Sequence, residues 1–534
     1  MEKTLYFGGP ILTMDKATPR VEALLVGDGR IMGAGSLKEL ESHAEGAERV
    51  DLKGKTLMPA FVDGHGHMAQ TGLFMRECDL IGCKSFQEIL LRIRAFREKY
   101  DLTHGEIIRC VGYDPALLAE GRHPDGRLLD SLGFDNPIAC LHQSKHTGAY
   151  NKAAMALCGV DESSQCPEGG LIGRDENGQL TGYFEGRAME PFFRVLDKVT
   201  AEEFERAILE AQDYYLSYGI TTIQDGSRCT AEDLARYEHL ADSGQLKADV
   251  VVYLASDDSN GEFWKGTLQR RGNREYHGHL KIGGTKLVLD GSPQARTAWM
   301  REPYEGEEEY RGYPRHSDDE VRAELQHAVA VGLQPLAHCN GDAAAEQFLS
   351  SWEKVVSEAG HGAELRPVMI HAQTVGYDQL ARMCPVGMMP SIFVGHCYFW
   401  GDTHLKNFGP VRGNCISPVK AAMDRGLPVN FHQDSPVTPP DMLHTVWCAV
   451  NRMTRGGVCI GSENRIDVYD ALIAVTRGGA YSYFEEATKG VLWPGAVADL
   501  VLLDKDPTAV DPMEIRNIRV LRTIKDGCTV FSNE

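Results

Sequence analysis

The chain has 534 residues, of which 43% are hydrophobic and 25% are charged, so it can bury a large core and exceeds the usual size of a single domain. Its formal net charge of −21 is spread along the chain, and a surface that acidic repels phosphate backbones and anionic lipid headgroups. We therefore expect one large domain with additions, a small-molecule substrate, and no nucleic-acid or membrane partner. Assembly into a homo-oligomer is left open.

The compartment is predicted from what the sequence lacks. Residues 1–35 contain no basic segment followed by an apolar segment and a small-residue cleavage site, and no run approaches the roughly 20 apolar residues of a membrane-spanning helix. The fourteen cysteines are scattered and form no CxxC pair, which favours reduced thiols over disulfides. We expect a soluble, cytoplasmic protein.

Short strands with glycine turns are predicted at both ends of the chain. The segments are "TLYFGGPILTM", "EALLVGDGRIMGAG" and "KTLMPA" near the start, and "GAVADLVLLDKDP" and "IRVLRTIKDGCTV" near the end. We predict that residues 1–58 and 485–534 combine into one small β-domain.

A recurring unit of helix, glycine stop and apolar run occupies the middle of the chain. Each unit starts at a capping residue and stops at a glycine: Thr200, Glu203 and Gly219; Ser317, Glu320 and Gly332; Ser417, Pro418 and Gly426. Helices are therefore expected to alternate with short buried strands.

Eight apolar runs end in polar residues. In order they are "LMPAFVDGHGH", "GITTIQDG", "ADVVVYLAS", "TKLVLDGS", "LQPLAHCNGD", "RPVMIHAQ", "VGMMPSIFVGH" and "LPVNFHQDS". Eight strands with intervening helices predict a (β/α)8 TIM barrel, which we assign to residues 59–70 and 200–484. Histidine, aspartate and glycine follow the apolar part of each run, at the strand end that carries the chemistry in such barrels.

One connection is too long for a loop. Residues 71–199 separate the first two strands and contain "IIRCVGYD", "PIACLHQSKHTGAYN" and the turn-rich "GRDENGQLTG". A connection of this length must have structure of its own. We predict an α+β insertion over the barrel mouth.

The segment "FVDGHGHM" places two histidines on one face of a strand end. Alternate strand residues point to the same side, so His65 and His67 present two imidazoles together, and Gly66 leaves room for a ligand to approach. Imidazole suits zinc and similar divalent metals. Alone, an HxH pattern is more often a pair of loop or structural histidines.

Three further polar residues end later strands. His338 and His371 end the fifth and sixth predicted strands, and Asp434 ends the eighth. Four histidines and one carboxylate that converge on one rim are hard to explain by core packing, so we predict a metal site there.

Six segments together form a specific set: "LMPAFVDGHGHM", "KLVLDGSPQARTA", "PLAHCNGDAAAE", "MIHAQTV", "HQDSPVTPPDML" and "KGVLWPGAVADLVLLDKDP". Over nearly the whole chain they resemble the amidohydrolase superfamily, specifically the amidohydrolase family 3 group that includes enzymes similar to N-substituted formamide deformylase. The resemblance implies a metal-dependent hydrolase on a (β/α)8 barrel, with a small β-sandwich from both chain ends, that cleaves C–N bonds of amides or cyclic amides.

The resemblance also implies a set of ligands. His65 and His67 match the histidines that hold the more buried metal, His338 and His371 those of the fifth and sixth strands, and Asp434 the eighth-strand aspartate. Lys286 matches the lysine of a K-x-x-x-D-G-S motif, which in related enzymes is carboxylated and bridges two metals. A desolvated lysine loses affinity for its proton, and the neutral amine can capture carbon dioxide.

Two alternatives for Lys286 stay open. Asp290 lies four residues later on the same strand face and nearer the rim, so it could be the ligand instead, or it could form a buried ion pair with Lys286. An unmodified lysine favours one metal ion over two.

Other residues are secondary candidates. His146 and Glu185 in the insertion could line the substrate pocket or form structural hydrogen bonds, and Arg296 could hold a substrate carboxylate or pair within its own loop. His396 and Trp400 follow the seventh strand and could shape the pocket or pack beneath the insertion. Departures from the family wording, which put the substrate in doubt, fall at three positions: Gln433, Cys339 and Asn340.

The expected reaction is hydrolysis of an amide-type carbonyl by metal-activated water, with Asp434 as the general acid and base. The expected cofactor is a divalent metal, with zinc as the first choice, and one or two ions are expected. The sequence contains no phosphate-binding glycine loop that would indicate an organic cofactor. The alternatives are a deaminase or ring-opening hydrolase on the same site, or a catalytically silent regulatory or binding relative.

Overall fold

A computed structural model describes residues 3–255 and 262–533. The chain forms two compact units, one made of Met1–Thr71 with Ile208–Glu534 and the other of Gly72–Ala207. Within the described ranges, no helix combines the length and the apolar character needed to cross a membrane.

The first unit contains a curled sheet of eight parallel strands, which pair in chain order. We label them β1 (Phe61–Val62), β2 (Ile220–Cys229), β3 (Asp249–Ala255), β4 (Leu280–Val288), β5 (Gln334–Cys339), β6 (Val368–His371), β7 (Met389–Ile392) and β8 (Asn430–Phe431). Each overlaps one of the eight predicted runs in chain order, although β2 continues past the end of its run and β4 begins before the start of its run. A short strand, Tyr276–His277, pairs antiparallel with β4.

β1 and β8 are the two end strands of this sheet, and the chain segments that follow them are hydrogen-bonded to each other. The backbone N–H of His67 donates to the carbonyl of Ser435 over 2.9 Å, and that of Asp434 donates to the carbonyl of His65 over 3.3 Å. The chain therefore has an α/β fold of the TIM-barrel type. The carboxyl ends of its parallel strands lie around one rim.

Helices connect the strands, but the predicted capping is not found at Ser417, because Pro418 is at the N-cap of the helix Val419–Met423 and makes no side-chain cap. Ser317 and Glu320 form a reciprocal capping box, and the helix they start ends at Gly332, which has a φ of 75°. The helices of the first unit are Leu37–Glu41, Ala231–Asp242, Glu262–Arg271, Asp318–Val331, Asp342–Ala359, Tyr377–Met383, His396–Phe399, Gly401–Gly413, Val419–Met423, Met442–Asn451, Val468–Ala474 and Arg477–Ser482. The chain passes between the units within the helices Met68–Met75 and Ala201–Ser217. Short 3₁₀ helices are Arg187–Met189, Ala363–Leu365, Cys384–Val386, Ser462–Asn464 and Pro512–Asn517.

Both ends of the chain contribute to one eight-stranded sheet in the first unit. The strand Thr56–Pro59 pairs antiparallel with Leu500–Leu503, which joins the two ends. The other strands are Lys3–Leu12, Arg20–Gly27, Arg30–Gly35, Glu48–Asp51, Val520–Lys525 and Cys528–Ser532. The two ends of the chain therefore pair in one sheet, while a separate domain of residues 1–58 and 485–534 stays a prediction.

A buried ion network links the C-terminal segment to β3 within the first unit. Nζ of Lys489 lies 2.6 Å from a carboxylate oxygen of Asp249, at the start of β3. Nζ of Lys525 lies 3.1 Å from Asp249 and 3.3 Å from Asp499. Removing one partner would leave a buried charge uncompensated, at a cost of about 3–5 kcal/mol.

The second unit is a separate α+β structure with a six-stranded sheet. Its strands are Glu77–Asp79, Ile108–Tyr113, Ile138–His142, Thr147–Tyr150, Gly170–Arg174 and Leu180–Gly186, and its other helices are Phe86–Lys99, Gly126–Asp130, Lys152–Leu157 and Glu190–Leu196. The first three strands are parallel, and the remaining pairs are antiparallel. Two apolar clusters form its core, so the long connection does have structure of its own.

Candidate metal centre

The loop after β1 is held by carboxylates of its own and of the next strand. Asp63 accepts a hydrogen bond from the backbone N–H of His65 over 3.3 Å. Asp225, at the end of the β2 apolar run, accepts from the backbone N–H groups of Ala69 and Ser227, each over 3.0 Å. These contacts fix the direction in which the paired histidines point.

Gly66 serves this packing and not the approach of a ligand. A Cβ atom at this position would lie 2.7 Å from a carboxylate oxygen of Asp63 and 2.8 Å from the hydroxyl of Tyr215. The predicted role of Gly66 was therefore wrong, because the space beside it is filled by buried side chains of the same unit.

His65 is neutral and turns one nitrogen toward the rim. Its Nδ1 is hydrogen-bonded to the amide oxygen of Gln224, which can only accept, so Nδ1 carries the hydrogen and Nε2 carries the lone pair. Nε2 lies 3.0 Å from Nζ of Lys286 and 3.5 Å from Oδ1 of Asp434. Burial, and then the nearby Lys286, hold the pKa of His65 well below its ordinary value.

Two more imidazoles approach the same carboxylate. Nε2 of His67 lies 3.0 Å from Oδ1 of Asp434, while its Nδ1 lies 3.1 Å from the hydroxyl of Ser227. Nε2 of His371 lies 4.0 Å from Oδ2 of Asp434. Ligand atoms of His65, His371 and Asp434 all lie within 4.8 Å of one another, which is the spacing of a candidate metal site.

The backbone is strained where the ligands are presented. His371, Ala372 and Asp434 have φ angles of 73°, 45° and 56°, in the left-handed region that non-glycine residues rarely adopt. Each such residue costs on the order of 1–3 kcal/mol and persists only where its surroundings impose it. Strain at two of the predicted ligands points to a functional constraint on this rim.

Asp434 carries a charge into this cluster. Its Oδ1 is buried and has no well-aligned hydrogen-bond donor among the described residues, although His67 is close. Burial by itself would raise the pKa of Asp434, but the His67 and His432 imidazoles and the Lys286 ammonium lower it below its ordinary value. The carboxylate is therefore ionised at neutral pH.

Lys286 is buried beside His65, not beside Asp290. Burial lowers the pKa of Lys286 to about 8, which leaves part of the population as the neutral amine near neutral pH. The carboxylate of Asp290 instead accepts from the backbone N–H groups of Asn340 and Gly341, over 3.0 and 2.7 Å. Because these groups satisfy Asp290, the alternative of a Lys286–Asp290 ion pair is not found, and Asp290 is not free to act as a ligand.

His338 is near the cluster but is turned away from it. Its ring lies 4.6 Å from that of His371. Its Nδ1 lies 3.1 Å from Asp290, and its Nε2 lies 3.2 Å from the side-chain nitrogen of Asn340. In this orientation neither nitrogen of His338 joins the close group of ligand atoms.

Sequence reasoning missed His432. Its Nε2 lies 3.1 Å from Nδ1 of His371 and its Nδ1 lies 2.8 Å from the hydroxyl of Ser391, so a chain of three buried groups orients His371. Burial lowers the pKa of His432 to about 3, so it is neutral. A signal was present, since His432 and Asp434 are two residues apart and alternate residues share a strand face.

Several secondary candidates make contacts within the protein. Arg296 lies 3.1 Å from Glu307 of its own loop. The side-chain nitrogen of Gln433 donates to Thr445 over 2.8 Å. In the second unit, Glu185 accepts a hydrogen bond from Tyr183 over 2.6 Å, and the carbonyl of His146 accepts from Gly186 over 2.9 Å.

The donor set fits a divalent metal. Imidazole nitrogens, of which Nε2 of His65 has its lone pair directed inward, together with an ionised carboxylate, are the ligand types that zinc and similar ions take. The second nitrogens of His65 and His371 are fixed by Gln224 and His432, as is usual for ligating histidines.

A TIM-barrel type fold with such a cluster at its strand ends is typical of metal-dependent hydrolases. Comparison with known proteins agrees with this class. The model of the amidohydrolase family matches residues 48–531, and the chain belongs to that family.

Similar proteins cover the chain almost completely. The N-substituted formamide deformylase of Arthrobacter pascens is 25% identical over 546 residues, which cover 99% of this chain and 98% of that protein. The crystal structure of an uncharacterized metal-dependent hydrolase from Pyrococcus furiosus matches with a TM-score of 0.77 and 26% identity, covering 95% of this chain and 100% of that one. One from Pyrococcus horikoshii OT3 matches with the same TM-score and identity, over 96% and 99%.

Proposed function

We propose that the protein hydrolyses a C–N bond of a small molecule, in an amide, N-acyl, N-formyl or cyclic amide group. The observation that carries the proposal is an ionised Asp434 beside the inward-facing nitrogens of His65, His67 and His371. The name of the Arthrobacter relative supports an amide-type carbonyl as the target.

The ligands in this proposal are His65, His67, His371 and Asp434, and zinc is the expected ion. His338 would join them only with its ring turned so that one nitrogen leaves Asp290 or Asn340. A divalent ion, when bound, supplies a Lewis acid that activates water and polarises a carbonyl oxygen.

Asp434 moves the proton in this reaction. As an ionised carboxylate it accepts the proton that the attacking water loses, and as an acid it then donates that proton to the leaving nitrogen. Gln224 keeps His65 in one tautomer, and His432 holds the ring of His371 in its orientation.

A panel of N-formyl, N-acyl, cyclic amide and ring-amino compounds tests the proposal. We expect the zinc-loaded protein to hydrolyse members of the amide groups, to lose this activity with a chelator, and to regain it with added metal. Release of ammonia from ring-amino compounds alone would support the deaminase alternative. Full metal occupancy without any turnover would support the silent regulatory alternative.

We also propose that Lys286 is carboxylated. The neutral amine adds to carbon dioxide, a C–N bond forms, and one proton leaves to solvent, so a buried ammonium becomes a carboxylate. The support is the burial of Nζ, its lowered pKa and its place 3.0 Å from Nε2 of His65. Such a group could bridge two ions.

We expect Lys286→Ala to be inactive and to regain some turnover when a short carboxylic acid and excess metal are added, because the acid replaces the missing carboxylate. Protein prepared in ¹³C-bicarbonate should show a carbamate carbon signal that is absent from Lys286→Ala. Lys420→Ala, at an exposed lysine paired with Asp424, is the control and should change neither result. An unmodified amine at Lys286 in a metal-loaded crystal would rule the carbamate out.

A further inference from the structure

A second pair of buried histidines lies beside the metal centre. His396 begins the short helix after β7, and its ring lies edge to edge with that of His404, with centroids 5.2 Å apart and an interplanar angle of 6°. Phe393 contacts both His396, at 4.7 Å between centroids, and His432, at 5.3 Å. His396 is therefore linked through one shared ring contact to the residue that orients His371.

The two rings share one hydrogen bond. Nδ1 of His396 and Nε2 of His404 are 3.0 Å apart. Burial, followed by the neighbouring His404, His432 and His338, lowers the pKa of His396 well below its ordinary value, and burial lowers that of His404 to about 4. Both rings are neutral at pH 7, so one donates to the other.

The direction of this bond follows from the other nitrogen of His404. Its Nδ1 is buried and has no hydrogen-bond partner among the described residues. A buried N–H without a partner is rare and costly, whereas a bare ring nitrogen is tolerated better. The hydrogen of His404 is therefore on Nε2, which donates to Nδ1 of His396, and the hydrogen of His396 is on its Nε2.

We propose that His396 presents this Nε2–H as a neutral hydrogen-bond donor to the carbonyl oxygen of the acyl group that is cleaved. The proposal rests on the proposed function, and it adds a catalytic residue, His396, with His404 as its positioning residue. No group in the described part of the chain bonds to Nε2 of His396, and the residue keeps 4% of its surface exposed. A neutral imidazole fixed in one tautomer is an effective donor to a carbonyl whose oxygen gains charge.

Kinetics on the best substrate of the panel tests the contact. We expect His396→Phe, which keeps a ring but loses the donor, to lower kcat by about 10²–10³ with little change in KM. His396→Gln can place an amide N–H near the same point and should stay within about tenfold of wild type. His444→Phe, at a histidine that stacks on Trp447, is the matched control and should be unchanged.

Two measurements decide the proposal without turnover. In ¹⁵N-histidine NMR of the wild type, we expect the hydrogen of His396 on Nε2, and we expect it to stay there in His404→Gln but not in His404→Phe. Formate, the acid released from a formamide, should bind the zinc-loaded His396→Phe about tenfold more weakly than wild type or His444→Phe.

A hydrogen on Nδ1 of wild-type His396, or equal formate affinity in His396→Phe and wild type, would overturn the role of His396. Neither result depends on the substrate panel. A panel without turnover, with the expected NMR and formate results, would refute the proposed function alone.

Discussion

Replacing Asp434 by asparagine should lower kcat by about 10²–10⁴, because general acid and base groups typically contribute that much and asparagine lacks the basic oxygen. The substitution keeps the size of the side chain and one oxygen near His65, His67 and His371. We therefore expect the variant to keep its fold and most of its metal. Rate, metal content and thermal stability should be measured on one preparation.

Asp441→Asn is the matched control for this substitution. Asp441 caps the helix Met442–Asn451 by accepting from the backbone N–H of His444 over 2.9 Å, and asparagine caps a helix about as well as aspartate. The control should keep wild-type turnover. If Asp434→Asn were less stable but turned over at nearly the wild-type rate per folded molecule, Asp434 would have a structural role only.

Replacing both His65 and His67 by alanine should abolish metal binding and, with it, all hydrolysis. The two residues supply two imidazoles from one loop, and their loss leaves His371 and Asp434 as the remaining members of the cluster. We expect the circular dichroism spectrum to stay that of the wild type, because the apolar cluster inside the parallel sheet is formed by other side chains, among them Val251, Leu336 and Ile370. Elemental analysis after dialysis measures the metal.

The control for this pair is a second double variant, His277→Ala with His361→Ala. Both side chains are exposed, by 46% and 60%, and neither lies in the cluster. This variant should retain full metal and activity. Full metal occupancy in the His65 and His67 double variant would place the metal elsewhere in the protein.

The strands of the curled sheet could be predicted because each is buried on both faces and therefore appears as a continuous apolar run. The strands β1 and β8 are only two residues long, which is shorter than their apolar runs suggest. They stop early because the chain turns at once into the loops that contain His65 and Asp434. Periodicity indicates where a strand lies but not where its ladder of hydrogen bonds stops.

The site was predictable to the extent that its residues end strands. His65, His67, His371 and Asp434 come together because parallel strand ends meet at one rim. The orientation of His338 was not predictable, since it depends on Asp290, whose carboxylate is taken by backbone N–H groups that follow β5. Such a contact exists only once the fold has formed.

The supporting residues were the hardest to predict. Gln224 and His432 are separated from their partners by 159 and 61 residues, so no local pattern links them. The same holds for the bond between His396 and His404, although these residues are near in sequence, because the direction of the bond follows from the burial of one nitrogen.

A crystal structure of the zinc-loaded protein with anomalous scattering data tests the central claim most directly. We predict an anomalous peak between Nε2 of His65, Nε2 of His67 and the carboxylate of Asp434, with His371 within bonding distance of that peak or of a second one. Density that continues beyond Nζ of Lys286 would accompany two peaks. A fully loaded protein whose anomalous peak lies away from these residues would contradict the account.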